Sequence, residues 1–251
     1  VFLNFLESSP MRDYAFDSLR PIDITLGFAK FAEGSCLIQM GDTHVLCTAT
    51  IEEKVPSFLR GTQKGWVTAE YGMIPRCSPN RIDREAARGK QNGRTQEIQR
   101  LIGRSLRSVM DFEKLGERQI KIDCDVLRAD GGTRAASITG GYVALHQAVH
   151  KLFHTKVISQ WPIKEEVAAI SAGIVNDQAL LDLNYAEDST AQVDANFILT
   201  ASNNIIEIQA TGEERPYTEA ELHTLMALAR KGTEALILKQ REVLKDLEIS
   251  S

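Results

Sequence analysis

Five consecutive residues, Asp130-Gly131-Gly132-Thr133-Arg134, bring together what a phosphate group needs from a protein. Paired glycines let the backbone adopt positive φ and pass close to a ligand. A strand pattern ends just before them and a helical pattern begins just after. A helix start leaves amides without intrahelical partners and carries partial positive charge. Thr133 adds a hydroxyl and Arg134 a bidentate fork, so the segment suits a phosphate. A plain tight turn with Thr133 as N-cap accounts for the same residues. The run is neither a P-loop nor a dinucleotide fingerprint, because it lacks the spacing of both.

A second constellation is basic. Between Arg76 and Arg107 there are nine basic residues against three acidic ones, in a chain whose formal charge is −5. A local positive patch on an acidic protein is what a phosphodiester backbone binds, by counterion release. Arg100, Arg104 and Arg107 share one helical face, where a solvated helix surface explains them better. A third constellation is acidic, in Tyr185-Ala186-Glu187-Asp188 and on to Asp194. Asp188 falls in a turn and Asp194 enters an apolar strand. Such a pair could hold Mg²⁺ or deliver a proton to a leaving oxygen; solubilising loop charge is the plainer alternative. His146, His150 and His154 recur every four residues. Without an acidic companion they read as an ordinary helix face rather than a zinc site.

These residues need elements to hold them. Strand patterns cover 24–31, 35–40, 43–51, 66–73, 120–126, 167–175, 179–183, 193–200 and 205–210, with turns at Gly41-Asp42 and Asn203-Asn204. Helical periodicity covers 95–112, 134–153 and 218–247, the last opened by a Thr218/Glu221 capping box. The stretch 77–93 loses its apolar period and reads as a mobile loop. Strands come in groups with helices between groups, which favours α+β, with mixed sheets packed against helices, over a doubly wound sheet.

The 251 residues, 43% hydrophobic and 25% charged, can bury a sizeable core. One domain over 11–251 is the better count, with 1–10 an N-terminal extension or artefact ahead of Met11. That stretch makes a poor signal peptide. No apolar run is long enough to span a membrane as a helix. Cys36, Cys47 and Cys124 sit in apolar strand-like runs, as buried reduced thiols do, which points to a reducing cytoplasm.

Long ordered stretches resemble the ribonuclease PH family, in its bacterial type. They are Gly65-Trp66-Val67-Thr68-Ala69-Glu70-Tyr71-Gly72-Met73-Ile74-Pro75-Arg76, then Gly93-Arg94-Thr95 with Glu97-Ile98-Gln99-Arg100-Leu101-Ile102. Asp123-Cys124-Asp125-Val126 through Arg134, and Asp182-Leu183-Asn184-Tyr185 through Asp194, continue the likeness, which runs over about 19–247. The resemblance implies a phosphorolytic 3′→5′ exoribonuclease that matures tRNA 3′ ends, with inorganic phosphate as the attacking co-substrate. It implies phosphate contacts at Arg94, Gly132, Thr133 and Arg134, and a catalytic pair at Asp188 and Asp194, which would also be the ligands of Mg²⁺. It implies tRNA contacts around Arg76, Arg81 and Arg84, and a homohexameric ring built as a trimer of dimers. Many members carry Gly-Arg shortly before Leu-Arg-Pro; this chain has Asp13-Tyr14 there, and Arg128 and Ala135 replace commoner residues beside the phosphate turn. Two other readings compete: a catalytically silent RNA-binding ring subunit, and a phosphotransfer enzyme unrelated to RNA.

Overall fold

Alternation of apolar and polar residues builds the first sheet. Its strands are β1 (Ile22–Leu26), β2 (Gly34–Met40), β3 (Thr43–Glu52), β4 (Trp66–Met73) and β5 (Gln119–Arg128), in the order β1-β2-β3-β5-β4. The computed structural model describes residues 12 and 14–247. Neighbours pair antiparallel except β4 and β5, which are parallel. A parallel pair needs a crossover, and three helices supply it: α1 (Glu85–Arg88), α2 (Gly93–Ser108) and α3 (Phe112–Leu115). The inner face carries Cys36, Ile38, Val45, Cys47, Ile120, Ile122, Cys124 and Val126, all buried. The four cysteines are free and buried.

That face packs on α4 (Thr133–His154). The opposite side of α4 packs on the second sheet, so this helix is buried nearly all round and shows no clean polar stripe. Close approach explains its small residues: a Cβ on Gly140 would come within 2.7 Å of Ile38 and 2.9 Å of the Cys47 sulfur. The second sheet comprises β6 (Val167–Val175), β7 (Gln178–Leu181), β8 (Val193–Thr200) and β9 (Ile205–Gly212), all antiparallel in the order β7-β6-β8-β9. Strand β6 is buried along its whole length because α4 and the last helix, α6 (Glu219–Leu244), both pack on it. Thr218 and Glu221 form the capping box of α6. A short helix, α5 (Tyr185–Asp188), precedes β8. One apolar core joins both sheets to α4 and α6.

The architecture is α+β with mixed sheets, as the grouping of strands implies. Several boundaries differ from the periodicity. The first strand ends at Leu26, not residue 31: the chain turns at Gly27, and the Ser35 hydroxyl accepts the Ala29 amide at 2.9 Å. Phe28 and Phe31, strand formers by type, project from this turn and are exposed. The helix read to residue 112 stops at Ser108, because the Asp111 carboxylate accepts the Glu113 and Lys114 amides and caps the separate α3. Strand β7 ends at Leu181 because Asp182 adopts φ 55. The stretch 77–93 contains α1.

Candidate active site

The glycine turn closes β5 onto α4. Gly131 and Gly132 have φ of 75 and 67, and a Cβ on Gly131 would collide with the Leu183 carbonyl. Gly132, not Thr133, is the N-cap of α4, and no side chain caps this helix end. Its first amides are therefore left for a ligand. Thr133 is instead the first helical residue, its hydroxyl 2.9 Å from the buried Tyr71 hydroxyl of β4. Burial raises the Tyr71 pKa, so the phenol stays protonated as a partner for Thr133. Arg134 is aimed by β9 and α2 together: its Nη1 donates to Gln209 Oε1 at 2.6 Å and lies 3.8 Å from Glu97. Gln209 in turn donates to Glu97 at 2.9 Å.

The carboxylates come from the second sheet. Asn184 and Glu187 form a capping box that fixes α5, and Asp188 is the last residue of that helix rather than part of an open turn. Asp194 lies on β8 between Gly173 of β6 and Thr211 of β9. Its Oδ1 is buried and has no hydrogen-bond partner. Burial pushes the Asp194 pKa up to about 6, with the Asp188 charge adding to the rise and Arg134 and Arg94 opposing it. Burial also raises Asp188, again against Arg94 and Arg134. Arg94, in the first turn of α2, is exposed and makes no ion pair among the described residues. Arg94, Thr133, Arg134, Asp188 and Asp194 thus gather at one place where cations and carboxylates feel each other's charge.

Beside them lies a cavity of about 1010 Å³, bordered by Arg81, Arg84, Arg88, Lys90 and Arg94 together with Tyr71 and Asp125. Arg76 is exposed but does not border it. The basic loop has internal structure: Asp83 pairs with Arg81 at 2.9 Å and with Arg88 at 2.5 Å, and the Thr95 hydroxyl donates to Glu85 at 2.8 Å. The arginines of the α2 face divide. Arg104 pairs with Glu207 at 2.6 Å, and Arg107 lies over the Trp66 ring and donates to the Val67 carbonyl. His146 is half-buried against Trp161 while His150 stacks on His154, and no three His, Cys, Asp or Glu side chains among the described residues could surround a metal ion.

Side chains that local sequence does not flag hold the site together. Arg20 is buried and donates Nε and Nη2 to Asp182 at 3.1 and 2.7 Å, and Nη1 to the Asp130 carbonyl at 2.5 Å. The Thr43 hydroxyl donates to the Gly131 carbonyl at 2.6 Å and accepts the Asp130 amide at 2.9 Å. Arg12 pairs with Glu187 at 2.7 Å and donates to the Leu181 and Asp182 carbonyls. Of the departures, Asp13 lies outside the described residues, Tyr14 lies under the Arg12 guanidinium, and Arg128 pairs with Asp42 at 3.1 Å.

Comparison with known proteins matches residues 18–150 to domain 1 and residues 165–232 to domain 2 of the 3′ exoribonuclease family. Ribonuclease PH of Rhodospirillum rubrum is 58% identical over 233 residues, 93% of this chain and 97% of that protein. Ribonuclease PH of Neisseria meningitidis serogroup C is 59% identical over 230 residues, 92% of this chain and 95% of that protein. Among solved structures, rice (Oryza sativa) Rrp46 aligns with TM-score 0.76 at 18% identity, covering 93% of this chain and 98% of that one. The Archaeoglobus fulgidus exosome with RNA bound to the active site aligns with TM-score 0.71 at 19% identity, covering 94% of this chain and 91% of that one. At such identities these two structures speak for the fold alone.

Proposed function

The chain belongs to the 3′ exoribonuclease family, and we propose that the cluster of Arg94, Gly132, Thr133, Arg134, Asp188 and Asp194 is where it works. The protein is a phosphate-dependent 3′→5′ exoribonuclease. An oxygen of inorganic phosphate bonds to the phosphorus of the terminal phosphodiester. The bond from that phosphorus to O3′ of the preceding nucleotide breaks, and O3′ takes up a proton. A nucleoside 5′-diphosphate leaves, and the RNA is one nucleotide shorter. The reverse reaction adds a nucleotide from a diphosphate.

One observation carries the site assignment: an uncapped helix start and two arginines face a carboxylate whose Oδ1 is buried without a partner. Phosphate is a weak, charged nucleophile approaching another phosphate, so the site must neutralise and align it. The α4 amides, Thr133 and the two guanidiniums do so. Asp194, with a pKa near 6, gives up or takes a proton near neutrality more readily than an ordinary aspartate and can serve O3′. Asp188 and Asp194 would also hold Mg²⁺, which fits one unsatisfied carboxylate oxygen beside a second carboxylate. Two protein ligands with phosphate and water completing the shell is the usual Mg²⁺ arrangement. When bound, the ion would neutralise charge on the departing oxygen.

The substrates we infer are tRNA precursors and other RNA 3′ ends, including those of rRNA, led in over Arg76, Arg81 and Arg84. We read one catalytic unit from residue 11 onward, acting in the cytoplasm, in a hexameric trimer of dimers. Light scattering in solution tests the ring, and a stable monomer contradicts it. The decisive assay incubates the protein with tRNA bearing extra 3′ nucleotides, with and without phosphate. Diphosphates formed only with phosphate are expected. Binding without product would favour a silent RNA-binding subunit.

A further inference from the structure

The two halves of the site come from different sheets, so their separation must be set by something. The phosphate turn closes β5 of the first sheet, whereas Asp188 and Asp194 stand on α5 and β8 beside the second. The contact between them is polar, and buried at Arg20 and Asp182. The Arg20 guanidinium spends three nitrogens on it: Nε and Nη2 on the two oxygens of Asp182, Nη1 on the Asp130 carbonyl. The Arg20 backbone amide adds a further bond to Asp182 Oδ2 at 2.9 Å. Asp182 leads into Leu183, whose carbonyl lies against Gly131, and on to α5. The Tyr185 amide returns a bond to Asp130 Oδ1 at 3.2 Å. Thr43 holds the turn from the other side, bonding Asp130 and Gly131.

We infer that Arg20, Asp182 and Thr43 are positioning residues for phosphate: they hold the Gly131-Gly132 turn at a set distance from α5, so that attacking phosphate bound at the α4 start meets the carboxylates in register. This rests on the phosphate site proposed above. None of the three touches the reacting atoms. All three guanidinium nitrogens of Arg20 bond within the clasp, Arg20 is buried, and Thr43 and Asp182 are fully buried. Loosening the clasp moves the turn's amides relative to the carboxylates, and geometry errors of this kind act on rate and co-substrate binding without removing a contact.

Phosphate and RNA dependence separate this from ordinary structural support. Thr43→Val keeps the side-chain shape and removes both hydrogen bonds; Thr43→Ser restores them. The expected result is a rise in KM for phosphate of about ten-fold or more in Thr43→Val, with KM for RNA unchanged and recovery in Thr43→Ser. Arg20→Lys, whose single nitrogen cannot reproduce the planar fork on both Asp182 oxygens and the Asp130 carbonyl, should raise the phosphate KM further. If Arg20→Lys does not fold, the Thr43 pair alone decides. A phosphate KM in Thr43→Val equal to that of the unsubstituted protein, with only the melting temperature lowered, overturns the inference. Direct titration with inorganic phosphate by calorimetry keeps the two proposals apart. Phosphate binding that weakens in Thr43→Val supports the clasp even if no RNA is cleaved, while an unsubstituted protein that cleaves RNA without phosphate sinks the functional reading first.

Discussion

Asp182 and Asp194 are twelve residues apart in sequence, at the end of β7 and the start of β8, yet the fold treats them in opposite ways. Asp182 is 0% exposed, and both its oxygens accept from Arg20. Asp194 has a buried oxygen with no partner, and its pKa rises to about 6. Burial by itself therefore does not mark a chemical carboxylate. A fully engaged one is structural; an incompletely engaged one beside a second acid and two cations is where a reacting group can complete the set.

Changes at the two positions should break this contrast in different currencies. Asp194→Asn should lower the phosphorolysis rate by about 10²–10⁴-fold, the range for a lost acid–base group, in single-turnover assays. A near-normal rate would remove Asp194 from the chemistry. Asp182→Ala leaves the buried Arg20 charge without its main partner, with only the Asp130 carboxylate 3.6 Å away, and should cost about 3–5 kcal/mol in urea unfolding. A loss under about 1 kcal/mol would mean that water reaches the pair.

The stability effect of Asp194→Asn should have the opposite sign. A carboxylate whose folded pKa, about 6, exceeds its unfolded value, 3.8, favours folding fully below 3.8 and loses that contribution as pH rises through 6. The unsubstituted protein therefore carries the penalty at pH 7, and the asparagine variant should be more stable there by up to about 3 kcal/mol. The gap should close as pH falls from 6 towards 3.8, followed by thermal melts across that range. A constant gap would place its origin outside this titration. The smallest effect belongs to the basic loop. Arg81→Ala should weaken RNA binding several-fold and reduce the slope of log affinity against log salt by about one. An unchanged slope would leave Arg81 to its partner Asp83.

Legibility followed the range of the interaction. Trp66–Met73 and Val193–Thr200 have in the structure the bounds that β-branched and aromatic runs predict, because residue type and alternation are local properties. The Thr218 cap was equally plain, since its partner Glu221 is three residues away. Boundaries set by distant partners were not. Asp182 ends β7 in a left-handed conformation while bonded to Arg20, 162 residues away. The plain alternative, a tight turn with Thr133 as cap of α4, fails because Tyr71 on another strand takes its hydroxyl and Gly132 occupies the cap position. The phosphate turn, the basic loop and the acidic pair were each visible as composition. Gln209 and Glu97, which aim Arg134, were not, for neither belongs to a chemical motif.

From the sequence alone came the groups available for chemistry and the short elements that carry them: paired glycines before a helix, an arginine at another helix start, and aspartates flanking a strand. Tertiary structure decided which of these groups are committed to one another. Asp182, Arg104 and Arg107 are engaged in the structure, while Asp194 Oδ1 is buried without a protein partner. The physical reason is that hydrogen-bond satisfaction and desolvation depend on what packs within a few ångströms. Those neighbours come from elements distant in sequence: Arg20 reaches Asp182 across 162 residues, and Glu207 of the second sheet reaches Arg104.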